Sequence, residues 1–254
     1  MQLISYILIF LIGISIGSFL NVCIYRIPLG KTIVKGRSYC PKCNQLIPWY
    51  YNIPVLSYLF LHGKCGYCKS HISLIYPTVE LLNGILHIAV FFVYGFNITA
   101  ILTAILISLL IVISFIDLKY QIIPDRLILS ILALSLINAF HQITSNQIPW
   151  QYFVIGFFAA SVPLFLLGLI YEGGLGGGDI KLMAVCGLFA GWKLILLSLL
   201  LGDIIAFLYI AVLFVKKKAK KGTAIPFGPF LSAGITVSIL IGGQILNWYT
   251  TVFF

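Results

Sequence analysis

Acidic side chains are scarce in this chain: Asp and Glu together number six in 254 residues, and charged residues of either sign make up 9%. With hydrophobic residues at 61% and a mean hydropathy of +1.10, that is the composition of a polytopic membrane protein rather than of a water-facing globule. The signatures of most hydrolases are also missing. There is no Gly-x-Ser-x-Gly elbow, no His-Glu-x-x-His zinc site and no Cys–His pair with a plausible third member. No nucleotide-binding glycine fingerprint occurs. The first apolar run, Leu3 to Ile24, has neither a basic n-region nor a small-residue cleavage site. It reads as a retained span and not as a removed signal. A net charge of +10 would suit a nucleic-acid partner, but its distribution follows membrane topology, so no such partner is expected.

What the chain does have is a series of apolar runs, most of them near the 20 or so residues that cross a bilayer. Backbone in lipid must satisfy its own hydrogen bonds, so these runs are helices. Eight spans are expected, at 2–25, 73–95, 98–116, 127–144, 149–171, 179–191, 194–215 and 226–250. The sixth is short and glycine-punctuated. Lys and Arg fix the orientation. Eight spans with the N-terminus outside put the basic residues of 26–72, Lys119, Arg126, Lys181 and the Lys216–Lys221 run on the cytoplasmic side, leaving Lys193 alone opposite. The lysine run reads as a topology anchor, with anionic lipid as the second reading. The expected fold is an all-α polytopic membrane protein of about eight transmembrane helices with a small cytoplasmic zinc-binding loop. Its parts would be a first transmembrane helix at 1–25, a zinc-knuckle domain at 26–72 and a membrane-embedded domain at 73–254.

The 26–72 segment is too small to bury a useful core. It carries Cys40-Pro-Lys-Cys43 and Cys65-Gly-Tyr-Cys68, two CxxC knuckles separated by 21 residues. That spacing matches a four-thiolate tetrahedral zinc site, in which the ion supplies folding energy the core cannot. Disulfides or a redox CxxC are the rivals, and a reducing cytoplasm disfavours the disulfides. Four thiolates leave no open coordination position, so the metal is structural. Cys23 and Cys186 read as buried small hydrophobes, and His62 and His71 as loop residues.

The six carboxylates are Glu80, Asp117, Asp125, Glu172, Asp179 and Asp203. Acids within or beside membrane spans are expensive and tend to mark function. The topology puts Asp117, Asp125, Glu172 and Asp179 at the cytoplasmic membrane edge, although only Lys and Arg set the orientation. Asp117 closes the third span, where an anion opposes the helix dipole at a cost of about 0.3–1 kcal/mol. Asp125 follows Pro124 where the fourth span begins, so an N-cap is its default role. Asp179 follows a loop with five glycines in six residues, 173–178, and opens the next helix near its positive end. The bland reading of that loop is a flexible linker with an Asp cap.

Two carboxylates in opposite electrostatic settings are what aspartic-protease chemistry requires, one to take a proton from water and one to donate to the scissile carbonyl. Helix position favours Asp179 as base and Asp117 as acid within a coupled pair. Asp203, inside the seventh span, is expected to face the bundle interior through a hydrogen bond. Glu80 would pair with Arg26 or a nearby Lys, or line a site. Two other classes compete: a transporter using intramembrane acids, which would rest on Asp203, and a non-catalytic scaffold presenting the zinc module.

Taken together, Asp117-x7-Asp125 with Pro124, Gly-x-Gly-Asp at 176–179, Gly17-Ser-Phe-Leu-Asn-Val-Cys-Ile-Tyr-Arg-Ile-Pro28, the two knuckles and Tyr76-Pro-Thr-Val-Glu-Leu-Leu82 resemble the type IV prepilin leader peptidase/N-methyltransferase family. The resemblance covers nearly the whole chain. It implies that Asp117 and Asp179 are the catalytic aspartates of a membrane aspartic peptidase, with Asp125, Gly176 and Gly178 in support. It implies as substrate the leader of a type IV prepilin or pseudopilin, a short basic segment ending in Gly ahead of an apolar helix. It also implies N-methylation of the new terminus with S-adenosylmethionine, for which Glu80 and the 17–28 segment are the candidates. The setting it implies is the bacterial cytoplasmic membrane.

Overall fold

The computed structural model describes residues 2–34, 36–170, 176–216 and 225–253. Lys35, Tyr171 and Glu172, the first part of the glycine loop (173–175) and the remainder of the lysine run (217–221) lie outside the described residues. The helices are α1 (Gln2–Arg26), α2 (Leu56–Phe60), α3 (Ile75–Tyr94), α4 (Ile98–Tyr120), α5 (Asp125–Ser145), α6 (Trp150–Ile170), α7 (Gly177–Ala190), α8 (Trp192–Val215) and α9 (Gly228–Phe253), with a 3-10 turn at Trp49–Tyr51. Beyond isolated bridges, no strand forms among the described residues. Seven of these helices are long and apolar enough to cross a membrane. The remaining expected span, the sixth in order, is present as α7, but it has only 14 residues. At 1.5 Å per residue it is about 21 Å long, short of a bilayer core of about 30 Å.

The chain packs as two compact units, Met1–Val112 and Ile113–Phe254. In the first, α1 lies against α3 at small residues. A methyl group on Gly13 would come within 2.8 Å of Gly84 Cα, and one on Gly17 within 2.7 Å of Glu80 Cα. Such close approach is the usual basis of helix association in lipid. Polar side chains then stitch the contact. Asn83 donates to the Gly13 carbonyl at 2.7 Å and accepts from Ser108 at 2.9 Å, while Asn21 donates to the Tyr76 carbonyl at 3.1 Å.

In the second unit α7 is the inner element, packed by α5, α6, α8 and α9. Nine of its residues, among them Leu182, Met183 and Cys186, are buried. Gly156 of α6 and Gly187 of α7 press backbone against backbone. Ser135 and Asn138 of α5 donate to the carbonyls of Val185 and Phe189 at 2.8 and 3.0 Å. A short helix held this way need not span the bilayer. What it does is carry its first turn to a defined place.

Candidate active site

That first turn holds Asp179. Gly176 is the N-cap, Asp179 sits three positions on with its amide bonded to the Gly176 carbonyl at 3.0 Å, and its side chain is buried. The expectation that Asp179 itself opens the helix is therefore shifted by one turn. The glycines serve space more than backbone freedom. Gly176 has φ −71° and ψ 129°, which any residue adopts. A Cβ there, however, would lie 2.8 Å from Asp179 Oδ2, and one on Gly178 would lie 2.9 Å from Ile123 Cβ. A Cβ on Gly177 meets nothing within 4 Å.

Asp117 comes from the last turn of α4 and is equally buried, 6% exposed against 8% for Asp179. Its Oδ2 accepts the backbone N–H of Gly228, the first residue of α9, at 2.9 Å. An amide at a helix N-terminus is a good partner for an anion. The penalty expected for a carboxylate at the end of α4 is thus offset by the start of α9. The two aspartates are close enough for a direct charge interaction. Asp179 Oδ1 is buried with no hydrogen-bond partner among the described residues. A buried carboxylate oxygen left open beside a second carboxylate is a place for a water or a substrate group.

Asp125 is not an N-cap. Pro124 occupies that position without a side-chain cap, and Asp125 stands in the first turn of α5. Its Oδ1 accepts from Lys181 Nζ at 2.8 Å, tying α5 to α7 at the surface. Gly228 escaped the sequence reading, because its partner lies 111 residues away. The available signal was Pro226-Phe-Gly-Pro229 at the entrance of the last span. Asp203, expected to face the bundle interior, is instead exposed on α8. A transporter reading loses the interior acid it needs.

In the first unit the four knuckle cysteines converge. Their sulfurs all lie within 4.8 Å of one another, and Cys40 Sγ is 3.9 Å from Cys68 Sγ. Tetrahedral Zn–S bonds of about 2.3 Å require S···S edges of about 3.8 Å, so the cluster fits a four-cysteine zinc site. Both knuckles use the same turn. Cys40 N–H bonds Gln45 O and Asn44 N–H bonds Cys40 O, while Cys65 N–H bonds Ser70 O and Lys69 N–H bonds Cys65 O. Asn44 and Lys69 both sit at φ 57°. Hydrogen bonds from the Ser70 side chain and backbone bring the Cys68 thiol down to about 6, towards the thiolate a metal binds. Glu80, also in this unit, is buried; its Oε2 accepts the Val55 amide at 2.7 Å and the Ser18 hydroxyl is its other partner. Glu80 forms no ion pair with Arg26 or a lysine among the described residues.

A helical bundle that buries two neighbouring carboxylates at converging helix ends, in a chain that also carries a four-cysteine loop, has the layout of a membrane aspartic peptidase. Sequence comparison agrees. Residues 11–94 match the bacterial peptidase A24 N-terminal domain, and residues 104–211 match the type IV leader peptidase family. A prepilin leader peptidase/N-methyltransferase of Stutzerimonas stutzeri is 35% identical, covering 94% of this chain and 91% of its own. One from Bacillus subtilis is 33% identical, covering 95% and 96%, and one from Pseudomonas aeruginosa 34%, covering 94% and 91%. No solved structure matches. The chain belongs to the type IV leader peptidase family.

Proposed function

We propose that this protein is a membrane aspartic endopeptidase that removes the short basic leader of a type IV prepilin or pseudopilin and then N-methylates the exposed terminus. The observation that carries the reading is the buried pair Asp117 and Asp179, near enough for their charges to interact, at the end of α4 and the start of α7. In the proposed reaction one carboxylate takes a proton from water as its oxygen attacks the scissile carbonyl carbon. The other gives its proton to the carbonyl oxygen. Collapse of the tetrahedral species breaks the C–N bond, and the amine leaves with the proton first taken from water. Like charges this close do not both ionise readily, so the pair starts with a single shared proton. Helix position no longer separates base from acid, because the first amide of α9 donates to Asp117 and offsets its place at the end of α4.

Asp125 supports the site through Lys181, and Gly176 and Gly178 by leaving room. Cys40, Cys43, Cys65 and Cys68 would hold a structural Zn2+ that stabilises the loop and takes no part in cleavage. S-adenosylmethionine, when bound, supplies an activated methyl group, and we assign Glu80 to its binding. The distribution of Lys and Arg supports a multi-pass placement in the bacterial cytoplasmic membrane, with both termini outside and the aspartates at the cytoplasmic face. There a single-spanning substrate leaves the bilayer.

The test is incubation of the purified protein with a prepilin, with and without S-adenosylmethionine, read by intact mass. The expected result is loss of the leader in both and gain of one methyl group only with the donor. Intact prepilin throughout would overturn the peptidase reading, and cleavage without methylation would remove the second activity alone.

A further inference from the structure

Between the two cysteine knuckles runs Leu46-Ile-Pro-Trp-Tyr-Tyr-Asn-Ile-Pro-Val-Leu-Ser-Tyr-Leu-Phe60, a stretch without a single charge. Its second half folds as one two-faced piece. Ser57 is buried; its hydroxyl donates to the Tyr50 carbonyl at 3.0 Å and accepts the Ile53 amide at 2.9 Å, which ties the 3-10 turn to α2. Inward, Tyr51, Pro54, Val55, Ser57 and Tyr58 line a cavity of about 690 Å³ in the first unit. Outward stand Trp49, Tyr50, Leu56, Leu59 and Phe60, none of which lines that cavity. Trp49 is 77% exposed and Phe60 79%. Single apolar residues on a surface need no explanation, but this many large ones on the outer face of one short piece do.

Depth decides what covers them. Val55, the N-cap of α2, donates its amide to Glu80 Oε2 at 2.7 Å. Glu80 stands five residues into α3, a 20-residue helix whose length of about 30 Å matches the hydrocarbon core. Five residues of helix rise about 7.5 Å, so this bond holds the start of α2 about that far below the level at which α3 begins. Interfacial segments bury their apolar face about 5–10 Å into the headgroup and acyl boundary, which is the same depth. The flanks suit that setting. Arg37, Lys42, Lys64 and Lys69 are exposed around the uncharged run, and no Asp or Glu precedes Glu80 in the chain. Basic side chains bordering an aromatic, apolar face are complementary to anionic headgroups, and Trp and Tyr favour the interface.

We infer that the outer face of residues 49–60 is a membrane-interface anchor. Trp49, Tyr50, Leu56, Leu59 and Phe60 sit among the headgroups and upper acyl chains of the leaflet where α1 ends and α3 begins. The cysteine loop is thereby laid on the bilayer and does not stand free in water. This anchor is independent of both activities proposed above.

Fluorescence quenching of the full chain in phosphatidylethanolamine–phosphatidylglycerol vesicles tests it. The difference between wild type and Trp49→Phe isolates Trp49 from Trp150, Trp192 and Trp248. One set of vesicles carries bromine on upper acyl carbons and another at the chain ends, and iodide on both sides of the bilayer is the quencher in water. The Trp49 signal should be quenched several-fold more by the upper bromines than by the terminal ones, and iodide should leave it nearly unchanged. Phe60→Trp in the Trp49→Phe chain supplies a second reporter with the same expectation, read in protein that elutes as wild type. Reporters that iodide quenches as it does tryptophan in water, with neither brominated lipid effective, would overturn the anchor and leave this face to a protein partner. Quenching strongest from the chain ends would overturn the interfacial depth.

Discussion

Asp117 and Gly228 are 111 residues apart in sequence, yet the amide at the start of α9 donates to the carboxylate at the end of α4 at 2.9 Å. A Cβ on Gly228 would stand 2.8 Å from Asp117 Oδ2, so any larger residue there requires that carboxylate to shift. Gly228→Ala should push the carboxylate out of place while leaving the rest of α9 intact. Displacement of a catalytic group by a fraction of an ångström to one ångström can cost up to about a hundredfold in rate. The expected outcome is a drop in prepilin cleavage of roughly tenfold or more, with a thermal midpoint close to wild type. Wild-type cleavage by this variant would show that the contact is incidental.

The glycine loop offers a graded version of the same experiment. Gly176→Ala would crowd Asp179 Oδ2 and Gly178→Ala would crowd Ile123, while Gly177→Ala meets open space. The first two should impair cleavage by roughly tenfold or more, and the third should cost less than about twofold beyond what helix propensity contributes. Equal effects at all three positions would mean that the loop needs flexibility rather than room.

Lys181 and Asp125 form an ion pair with side chains 55% and 71% exposed. Exposed pairs contribute about 0–1 kcal/mol and are weakened by salt. Lys181→Ala should therefore change stability by less than about 1 kcal/mol, and the small loss should shrink further at high ionic strength. Asp125→Asn should reduce cleavage without abolishing it. Complete inactivity of a well-folded Asp125→Asn protein would promote that residue into the catalytic set.

Metal removal tests the loop. The purified chain should carry about one zinc, since four converging thiolates make one closed tetrahedral site. Cys40→Ser or Cys65→Ser should lower that content and leave residues 37–72 open to proteolysis, because the loop has little core to fold around. Measured zinc near zero in wild-type protein prepared without chelators would contradict the assignment.

Most of the helices were legible in the sequence because lipid leaves the backbone no other option; seven expected spans agree with observed helices to within a few residues at most ends. The four cysteines were legible because two knuckles at that spacing have few other uses. Legibility failed where tertiary contact decides. Asp125 was expected to cap α5, but the preceding Pro124 takes the cap and Asp125 is drawn to Lys181 across 56 residues. Asp203 was expected inside the bundle because an acid in a span looks too costly outside it, yet its face of α8 points outward. Glu80 was expected to pair with a basic residue or to line a site; among the described residues it bonds the Val55 amide, and it lines the cavity of the first unit. Gly228 could not be found at all without knowing that α9 begins beside the end of α4. Asp117 drew attention because an anion at the C-terminal end of a helix needs explaining, and the structure buries it together with Asp179.

The most direct test of the account is intact-mass analysis of a prepilin incubated with Asp117→Asn and Asp179→Asn proteins, each shown to elute and melt like the wild type. Either substitution alone should leave the leader in place, because the proposed proton exchange needs both carboxyl groups. Full leader removal by either variant would contradict it.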